Sequence, residues 1–321
     1  MIPWHFVLIS IVIPVYFNEK NLPETWTALS SALAALPREH EHEVVFVDDG
    51  SGDGSYAQLL ALHEKHPQHV RVVKLVRNFG QPAAIQAGLA HARGDCAIVM
   101  SADLQDPPEL ISRLVEHWAG GEHPVVLAAR ERREDGLLAT VTSRIFYTVM
   151  RRYAIPNMPL GGFDFFLVDR QVIDFINKVD EKNTFLQGLV LWSGYDPVII
   201  PYTRRKRKIG RSRWTLSAKL KYFIDGLVTY TVAPIRMIST IGLVVSLLSF
   251  GYASLIFVLK IFWDLPIEGW APIMISVLML AGVQMLMLGT IGEYLWRNYH
   301  QVRRLPNFVV ERIDETDDSG R

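Results

Sequence analysis

This sequence predicts an α/β architecture with a parallel, doubly wound sheet, continued by a membrane-anchored half. Three observations carry that expectation. Short apolar runs alternate with helix-period segments as far as residue 202, the pattern of strands joined by crossover helices. Two long apolar stretches follow, Met237–Leu259 and Ala271–Leu295, each long enough to cross a bilayer. Two acidic turns, Asp48-Asp49 and Asp103 to Asp106, close two of the apolar runs. Both turns therefore fall at the C-terminal edge, where open α/β sheets bind ligands.

Taken in order, Ser10-Ile-Val-Ile-Pro-Val-Tyr16 reads as the first strand, and Asn18-Glu-Lys-Asn21 leads into a helix over Leu22–Leu36. Glu43-Val-Val-Phe-Val47 is the second strand and runs into Asp48-Asp49-Gly50-Ser51-Gly52-Asp53-Gly54. A helix over Ser55–His66 precedes the third strand, Val70–Val76. Arg77-Asn-Phe-Gly-Gln-Pro82 is a loop, and Ala83–Ala92 is a helix of small residues with Gly94 as its C-terminal stop. Cys96-Ala-Ile-Val-Met100 is a fully apolar strand that ends in Ser101-Ala-Asp-Leu-Gln-Asp-Pro-Pro108. The two prolines stop the strand and open a helix at Glu109. Val125–Ala129 is a strand that ends at Arg130-Glu-Arg-Arg133, and Thr142–Arg152 is a helix. Gly161-Gly-Phe-Asp164 is a turn entering a strand-like run, Phe165–Val168. Asn183–Ser193 is a helix with Trp192 as a packing residue, and Val198–Tyr202 is the last strand.

Lysine plus arginine equals aspartate plus glutamate at 33 each, so net charge indicates no partner, and no nucleic-acid partner is expected. The distribution is uneven: Tyr202–Arg213 is densely basic, and the tail from Glu311 is mostly acidic. The single cysteine, Cys96, lies inside a strand, which excludes a disulfide framework and fits a reducing compartment. The opening apolar run, Phe6–Tyr16, is too short to span a bilayer and lacks a basic flank, so it reads as a strand rather than a signal peptide.

Oxygen ligands on a tight turn suit a hard divalent cation shared with substrate phosphates. For Asp103 to Asp106 the alternative is a capping turn before the next helix. Adjacent carboxylates at Asp48-Asp49 repel, and a cation, sugar hydroxyls or a base N–H would relieve them; the alternative is a solvated turn. No GxGxxG follows the first strand and no GxxxxGK[ST] occurs, which argues against a dinucleotide cofactor and a P-loop.

Pro14-Val-Tyr-Phe-Asn-Glu19, Val47-Asp-Asp-Gly-Ser51, Arg77-Asn-Phe-Gly-Gln81, Ala87-Gly-Leu89, Gly94-Asp95 and Ala102-Asp-Leu-Gln-Asp-Pro-Pro108 together resemble inverting glycosyltransferases of family 2, which have the GT-A fold, Rossmann-like with a mostly parallel sheet. More narrowly they resemble the polyprenyl-phosphate branch, which holds dolichol-phosphate mannose synthases and bacterial undecaprenyl-phosphate glycosyltransferases of lipopolysaccharide modification. The similarity continues through Arg207-Lys-Ile-Gly-Arg-Ser-Arg-Trp214 and Gly292-Glu-Tyr294.

The resemblance implies transfer of one sugar from a nucleotide diphosphate donor, UDP first among them, to a polyprenyl phosphate, with inversion. It places Pro14, Tyr16, Glu19, Asp48, Asp49, Asn78 and Gln81 at the donor. Asp103 and Gln105 would hold Mg²⁺ or Mn²⁺, and Asp103 and Asp164 are the catalytic candidates. Asp164 equally fits an Asx-type turn residue before a strand. Arg207, Ser212 and Arg213 match the family's basic segment, with Arg130 and Arg144 as further phosphate candidates. Arg204 is expected only to attract an anionic leaflet. One departure stands out: many relatives carry aspartate where this chain has Ser101. The acidic pair is then reduced to Asp103, supported by Gln105 and Asp106.

Leu216, Leu220, Phe223, Ile224 and Leu227 recur at helical spacing between charged residues, as in a helix lying on a bilayer. Basic residues crowd before the first apolar stretch and after the second, with Lys260, Asp264 and Glu268 between them. The positive-inside rule then puts the catalytic half and both termini of a two-span protein in the cytoplasm, and the resemblance implies a multi-pass protein of the bacterial inner membrane. Expected boundaries are 1–201 for the catalytic domain, 202–235 for the basic segment and interfacial helix, 236–296 for a two-span anchor and 297–321 for a cytoplasmic tail. Glu293, near a span end, is expected to snorkel or to pair with Arg297 rather than to serve catalysis. A homo-oligomer is left open. Two rivals remain at this stage. One is a processive polysaccharide synthase, against which Gly210-Arg-Ser-Arg-Trp214 lacks the glutamine of a QxxRW motif. The other is a non-catalytic membrane protein that binds nucleotide sugars, for which Ser101 is the support.

Overall fold

The computed structural model describes residues 7–37, 39–133, 147–179, 185–205, 230–231, 233–263, 269–303 and 305–316. The chain forms two compact units, Met1–Tyr230 with Pro306–Arg321, and Thr231–Leu305.

The first unit is built on β1 (Val7–Val15), β2 (His40–Asp48), β3 (Val70–Leu75), β4 (Cys96–Val99), β5 (Val125–Arg133), β6 (Phe165–Asp169), β7 (Val198–Arg204) and β8 (Val310–Asp314). Together they form one sheet in the order β7-β5-β6-β4-β1-β2-β3-β8. Helices α1 (Leu22–Ala34), α2 (Ser55–Lys65), α3 (Gln81–His91) and α4 (Ile111–Ala119) follow β1 to β4. A short helix α5 (147–153) precedes β6, and α6 (Arg170–Lys178) and α7 (Leu186–Trp192) follow it.

Strand residues alternate between two cores because successive side chains leave a strand on opposite faces. Val12, Val45, Val47 and Val73 pack with α3, α6 and α7. Ile11, Ile13, Val44 and Phe46 pack with α1, α2 and α4. Burial on both faces explains why these strands read as unbroken apolar runs. The small residues of α3 have a packing cause. A Cβ on Gly88 would run into the Val12 side chain and lie 3.1 Å from Val47 Cγ2, so α3 lies close against β1 and β2.

The strands β1, β2, β3 and β4 are parallel, with Val15 beside Asp48 and Val12 beside Val99. Their C-terminal ends share one edge, and the order reverses between β1 and β4. That reversal is the switch point where α/β sheets bind ligands. The sheet is mixed rather than wholly parallel, because β6 runs antiparallel to both β4 and β5. This inversion matters for the site. Phe166, the second residue of β6, pairs with Val99, the last residue of β4, so Asp164, just before β6, arrives at the ligand edge.

The segment read as an acidic tail contributes an eighth strand. β8 pairs antiparallel with β3, and Phe308 and Val310 pack on the core. Its charges have partners: Lys74 Nζ lies 2.9 Å from Glu311, and the Tyr56 hydroxyl donates to Asp314 at 2.8 Å. Glu315 pairs with Arg71 at 2.9 Å and with Arg93 at 3.0 Å. Arg71 and Glu43 form a buried pair at 3.2 Å beneath it. An otherwise open edge of β3 is thereby covered, which limits pairing with other chains.

The second unit contains two helices, Ala233–Trp263 and Trp270–Val302. Among the described residues one 18-residue window, Ile235–Tyr252, is long and apolar enough to cross a membrane. The structure thus supports one of the two spans expected from the sequence. Glu293 pairs with Arg297 at 2.9 Å, as expected. The expected interfacial helix and the loop 264–268 lie outside the described residues.

Deleting residues 310–316 should destabilise the first unit. Arg71 would lose Glu315, one charge-assisted contact worth about 1.5–3 kcal/mol; partial exposure of Glu315 puts it at the lower end. Thermal unfolding of the purified protein measures this, and an unchanged midpoint would show that β8 is dispensable to the sheet.

Candidate active site

Three loops at the C-terminal edge are stitched together by side chains. Tyr16, Phe17 and Asn18 follow β1, and the Phe17 and Asn18 N–H groups donate to Ser51 Oγ at 3.1 Å and Ser55 Oγ at 2.9 Å. Glu19 accepts from the Gly54 N–H at 3.1 Å. Asp49 is 2% exposed and accepts from Asn78 Nδ2 at 2.9 Å, Phe79 N–H at 2.7 Å and Gly80 N–H at 2.9 Å. Burial pushes its carboxyl up to about 6 against those donors, with the Asp48 charge beside it adding to the rise. Asp49 and Glu19 therefore act as loop anchors in this structure. Asp48 differs. It is fully buried, one oxygen accepts from Ser51 N–H at 3.3 Å, and the other, Oδ1, has no hydrogen-bond partner. Burial pushes its carboxyl up as well. Pro14 and Gln81 are partly buried at the same edge, Pro14 near the end of β1 and Gln81 at the start of α3, while Tyr16 is exposed.

The turn after β4 is pinned from behind by α1, where Thr25 Oγ1 donates to the Ala102 carbonyl at 2.8 Å. Ser101 Oγ lies 2.9 Å from both Asp103 Oδ1 and Asp106 Oδ2. Gln105 N–H donates to Asp103 Oδ1 at 3.2 Å. Leu104 has φ 55 and Phe17 has φ 55. The left-handed region is uncommon for large side chains and clusters at functional turns; these are the two non-glycine cases among the described residues, and both lie on this edge.

Beside this turn lies a buried cation. Arg130, at 6% exposure, forms an ion pair with Asp164 through Nη2 and donates from Nε to the Tyr202 hydroxyl at 3.4 Å. Asp164 also accepts from Gln187 Nε2 at 2.9 Å. Burial alone would raise the Asp164 carboxyl; Arg130, then Arg204, outweigh it and hold the carboxyl below its ordinary value. The glycines before Asp164 admit this arrangement. A Cβ on Gly161 would collide with the Arg130 carbonyl, and one on Gly162, at φ 64, with the Tyr147 ring.

Asp106 joins the two groups. It is fully buried and accepts from Ser101 and from the Tyr202 hydroxyl, with Arg204 Nε at 3.7 Å. Gln105 is tied to Arg205, its carbonyl accepting from Arg205 N–H at 2.9 Å and its amide donating to the Arg205 carbonyl at 3.3 Å. Asp103, Gln105, Arg130 and Asp164 are thus brought to one place. Arg144, Arg207, Ser212 and Arg213 lie outside the described residues. Sequence reasoning missed Tyr202, Arg204 and Gln187. Arg204 faces Asp106 rather than serving only a leaflet, because β7 extends two residues beyond Tyr202. Asp106 is not placed to ligate a cation, since burial leaves its oxygens to hydroxyls and Arg204. Trp192 is 65% exposed and stacks on Phe175 at 5.7 Å.

The sequence model of glycosyl transferase family 2 matches residues 10–176. The chain belongs to that family. Relatives match over nearly the whole length of both chains. A prophage-derived bactoprenol glucosyl transferase of Shigella flexneri is 32% identical, with 95% of this chain and 97% of that one covered. An uncharacterized glycosyltransferase of Synechocystis is 35% identical, with 95% of each covered. A prophage bactoprenol glucosyl transferase homolog of Escherichia coli K12 is 31% identical, with 95% and 99% covered. Among solved structures, glucosyl-3-phosphoglycerate synthase from Mycobacterium tuberculosis, in complex with Mn²⁺, uridine diphosphate and phosphoglyceric acid, shares the fold. Its TM-score is 0.51 at 17% identity, with 70% of this chain and 78% of that one covered.

In this glycosyltransferase no group of three or more His, Cys, Asp or Glu side chains among the described residues is placed to hold a metal ion. Asp103 and Gln105 offer one carboxylate and one amide. That set fits a hard cation that draws its remaining ligands from water and a diphosphate.

Asp164→Asn should cost the enzyme about 3–5 kcal/mol, because Arg130 would be left buried beside a neutral partner. The sign with pH follows from the lowered carboxyl. The pair's contribution is complete above the unfolded value of 3.8 and is lost as pH falls below it. Denaturant titrations of wild type and Asp164→Asn should therefore converge at the acid end, and a constant difference at every pH would contradict the ion pair.

Proposed function

We propose that this enzyme transfers one sugar from a UDP-sugar to a polyprenyl phosphate such as undecaprenyl phosphate, inverting the anomeric carbon. The observation that carries the reading is the buried Arg130–Asp164 pair beside the Asp103 turn. A monoester phosphate has its second pKa near ~6, so at neutral pH it is largely a dianion and needs no strong base. A carboxylate held low by two arginines is a poor proton acceptor, and Asp164 suits this acceptor as a group that orients Arg130. The names of the bactoprenol glucosyl transferases of Shigella flexneri and of Shigella phage SfII support the same acceptor.

In the proposed reaction a phosphate oxygen of the acceptor forms a bond to the anomeric carbon while the bond to the donor diphosphate breaks on the opposite face. Arg130 and Arg204 supply positive charge to the phosphates. Asp48 Oδ1, buried and without a partner, is an acceptor for a base N–H or a ribose hydroxyl. Asp103 and Gln105 would hold Mg²⁺ or Mn²⁺, which supplies charge stabilisation to the departing diphosphate. Arg207, Ser212 and Arg213 follow Arg205 within eight residues and are proposed as further phosphate contacts. The anchor is proposed to have two spans with the catalytic unit and both termini cytoplasmic. Outward apolar side chains along the second helix, Ile273, Met279, Met285 and Leu286 among them, support the second span.

A donor screen with undecaprenyl phosphate and mass analysis should give a product carrying one sugar, and no product from any nucleotide sugar would refute the reading. Asp103→Ala should abolish that transfer without unfolding the protein, since the residue lies on a partly exposed turn; full activity of this variant, or of wild type in excess chelator, would remove the cation from the reading.

Orientation has its own test. Cys96 is the single cysteine and is buried, so an introduced cysteine gives a clean signal. In intact cells Glu268→Cys should react with an impermeant thiol reagent and Ser319→Cys should not. The reverse pattern would overturn the proposed orientation.

A further inference from the structure

Asp106 is fully buried at the centre of the site edge, and its partners lead in two directions. Toward the β4 turn, Ser101 Oγ stands 2.9 Å from Asp106 Oδ2 and 2.9 Å from Asp103 Oδ1. A hydroxyl has one proton, so Ser101 satisfies one of the two carboxylates at a time. A cation at Asp103 would leave that proton to Asp106. Toward β7, the Tyr202 hydroxyl donates to Asp106 Oδ1 and accepts from Arg130 Nε at 3.4 Å. Burial and the neighbouring Asp106 raise the Tyr202 phenol, so it stays a donor at working pH. Arg130 in turn holds Asp164.

We infer that Asp106 is a positioning residue of the transfer reaction. By taking the Ser101 proton it turns that hydroxyl's lone pairs toward a cation at Asp103, and through Tyr202 it fixes Arg130 at the acceptor phosphate. Ser101 thereby takes the place of a second carboxylate, supplying a hydroxyl that Asp106 orients. The inference rests on the proposed function, the Ser101 arm on its cation and UDP donor and the Tyr202 arm on its acceptor.

The full-length protein in detergent carries the test. Asp106→Asn leaves a buried amide among hydroxyls and risks misfolding, so Ser101→Ala and Tyr202→Phe are the decisive variants. Losing one such contact to a charged group should weaken UDP–Mn²⁺ binding of Ser101→Ala about tenfold by calorimetry, with the KM for undecaprenyl phosphate unchanged. Ser101→Thr, which keeps the hydroxyl, should restore binding. Tyr202→Phe should lower kcat/KM for undecaprenyl phosphate about tenfold and leave UDP–Mn²⁺ binding unchanged. Wild-type values for both variants, a loss confined to thermal stability, or no rescue by Ser101→Thr would overturn the inference. UDP–Mn²⁺ binding is read without acceptor. Failure of the wild type to transfer to undecaprenyl phosphate would therefore sink the proposed acceptor while the Ser101 arm remained readable.

Discussion

Taking a carboxylate out of water costs several kcal/mol unless donors replace the lost solvent, and three buried aspartates at one sheet edge impose that requirement on everything around them. Asp49 meets it with an amide and two backbone N–H groups from residues 78–80, which fixes the loop after β3 against the end of β2. Asp106 meets it with the hydroxyls of Ser101 and Tyr202 and with Arg204. Asp48 meets it only halfway, through Ser51, and keeps one oxygen unsatisfied. The first two hold the loops still, and the third keeps an acceptor oxygen free of any protein donor. Fixed donors and charges of this kind need no reorganisation when substrate charge develops.

Topology does the rest of the positioning. Three parallel strands, β1, β2 and β4, deliver Tyr16, Asp48 and Ser101 to one edge through crossover helices. An antiparallel β6 then delivers Asp164 to the same edge from the opposite chain direction. Close approach of Gly161 to Arg130 and of Gly162 to Tyr147 is what allows the turn into β6 to sit there. Backbone strain collects at the same place, at Phe17 and Leu104, as expected where surrounding contacts overdetermine a turn.

The charge pattern also separates this edge from the rest of the molecule. At the other side of the sheet, Glu43, Arg71, Arg93 and Glu315 form a network that joins β2, β3 and β8. Those pairs hold the returning C-terminal segment in place. Within the site, by contrast, Arg130, Arg204 and Asp164 bring unlike charges together in little solvent, where they attract one another more strongly than in water.

The amino-acid sequence by itself determined the strands, the helices of the first half and the acidic turns, because a strand buried on both faces must be apolar and a turn must be rich in proline, glycine and aspartate. The motifs from Pro14 to Pro108 were enough to indicate the family, since each lies within one local loop. The pairing of Arg130 with Asp164 was not legible: the two are 34 residues apart and meet only because β6 is antiparallel. Tyr202 and Arg204 gave no local signal, since their partner Asp106 lies 96 residues from Tyr202. The tail from Glu311 reads only as mostly acidic in sequence, and the edge of β3 with its buried Arg71 makes it a strand. Local chemistry decided which residues could form the site; long-range strand order decided which of them face one another, because a partner's charge enters only once the sheet has brought it near.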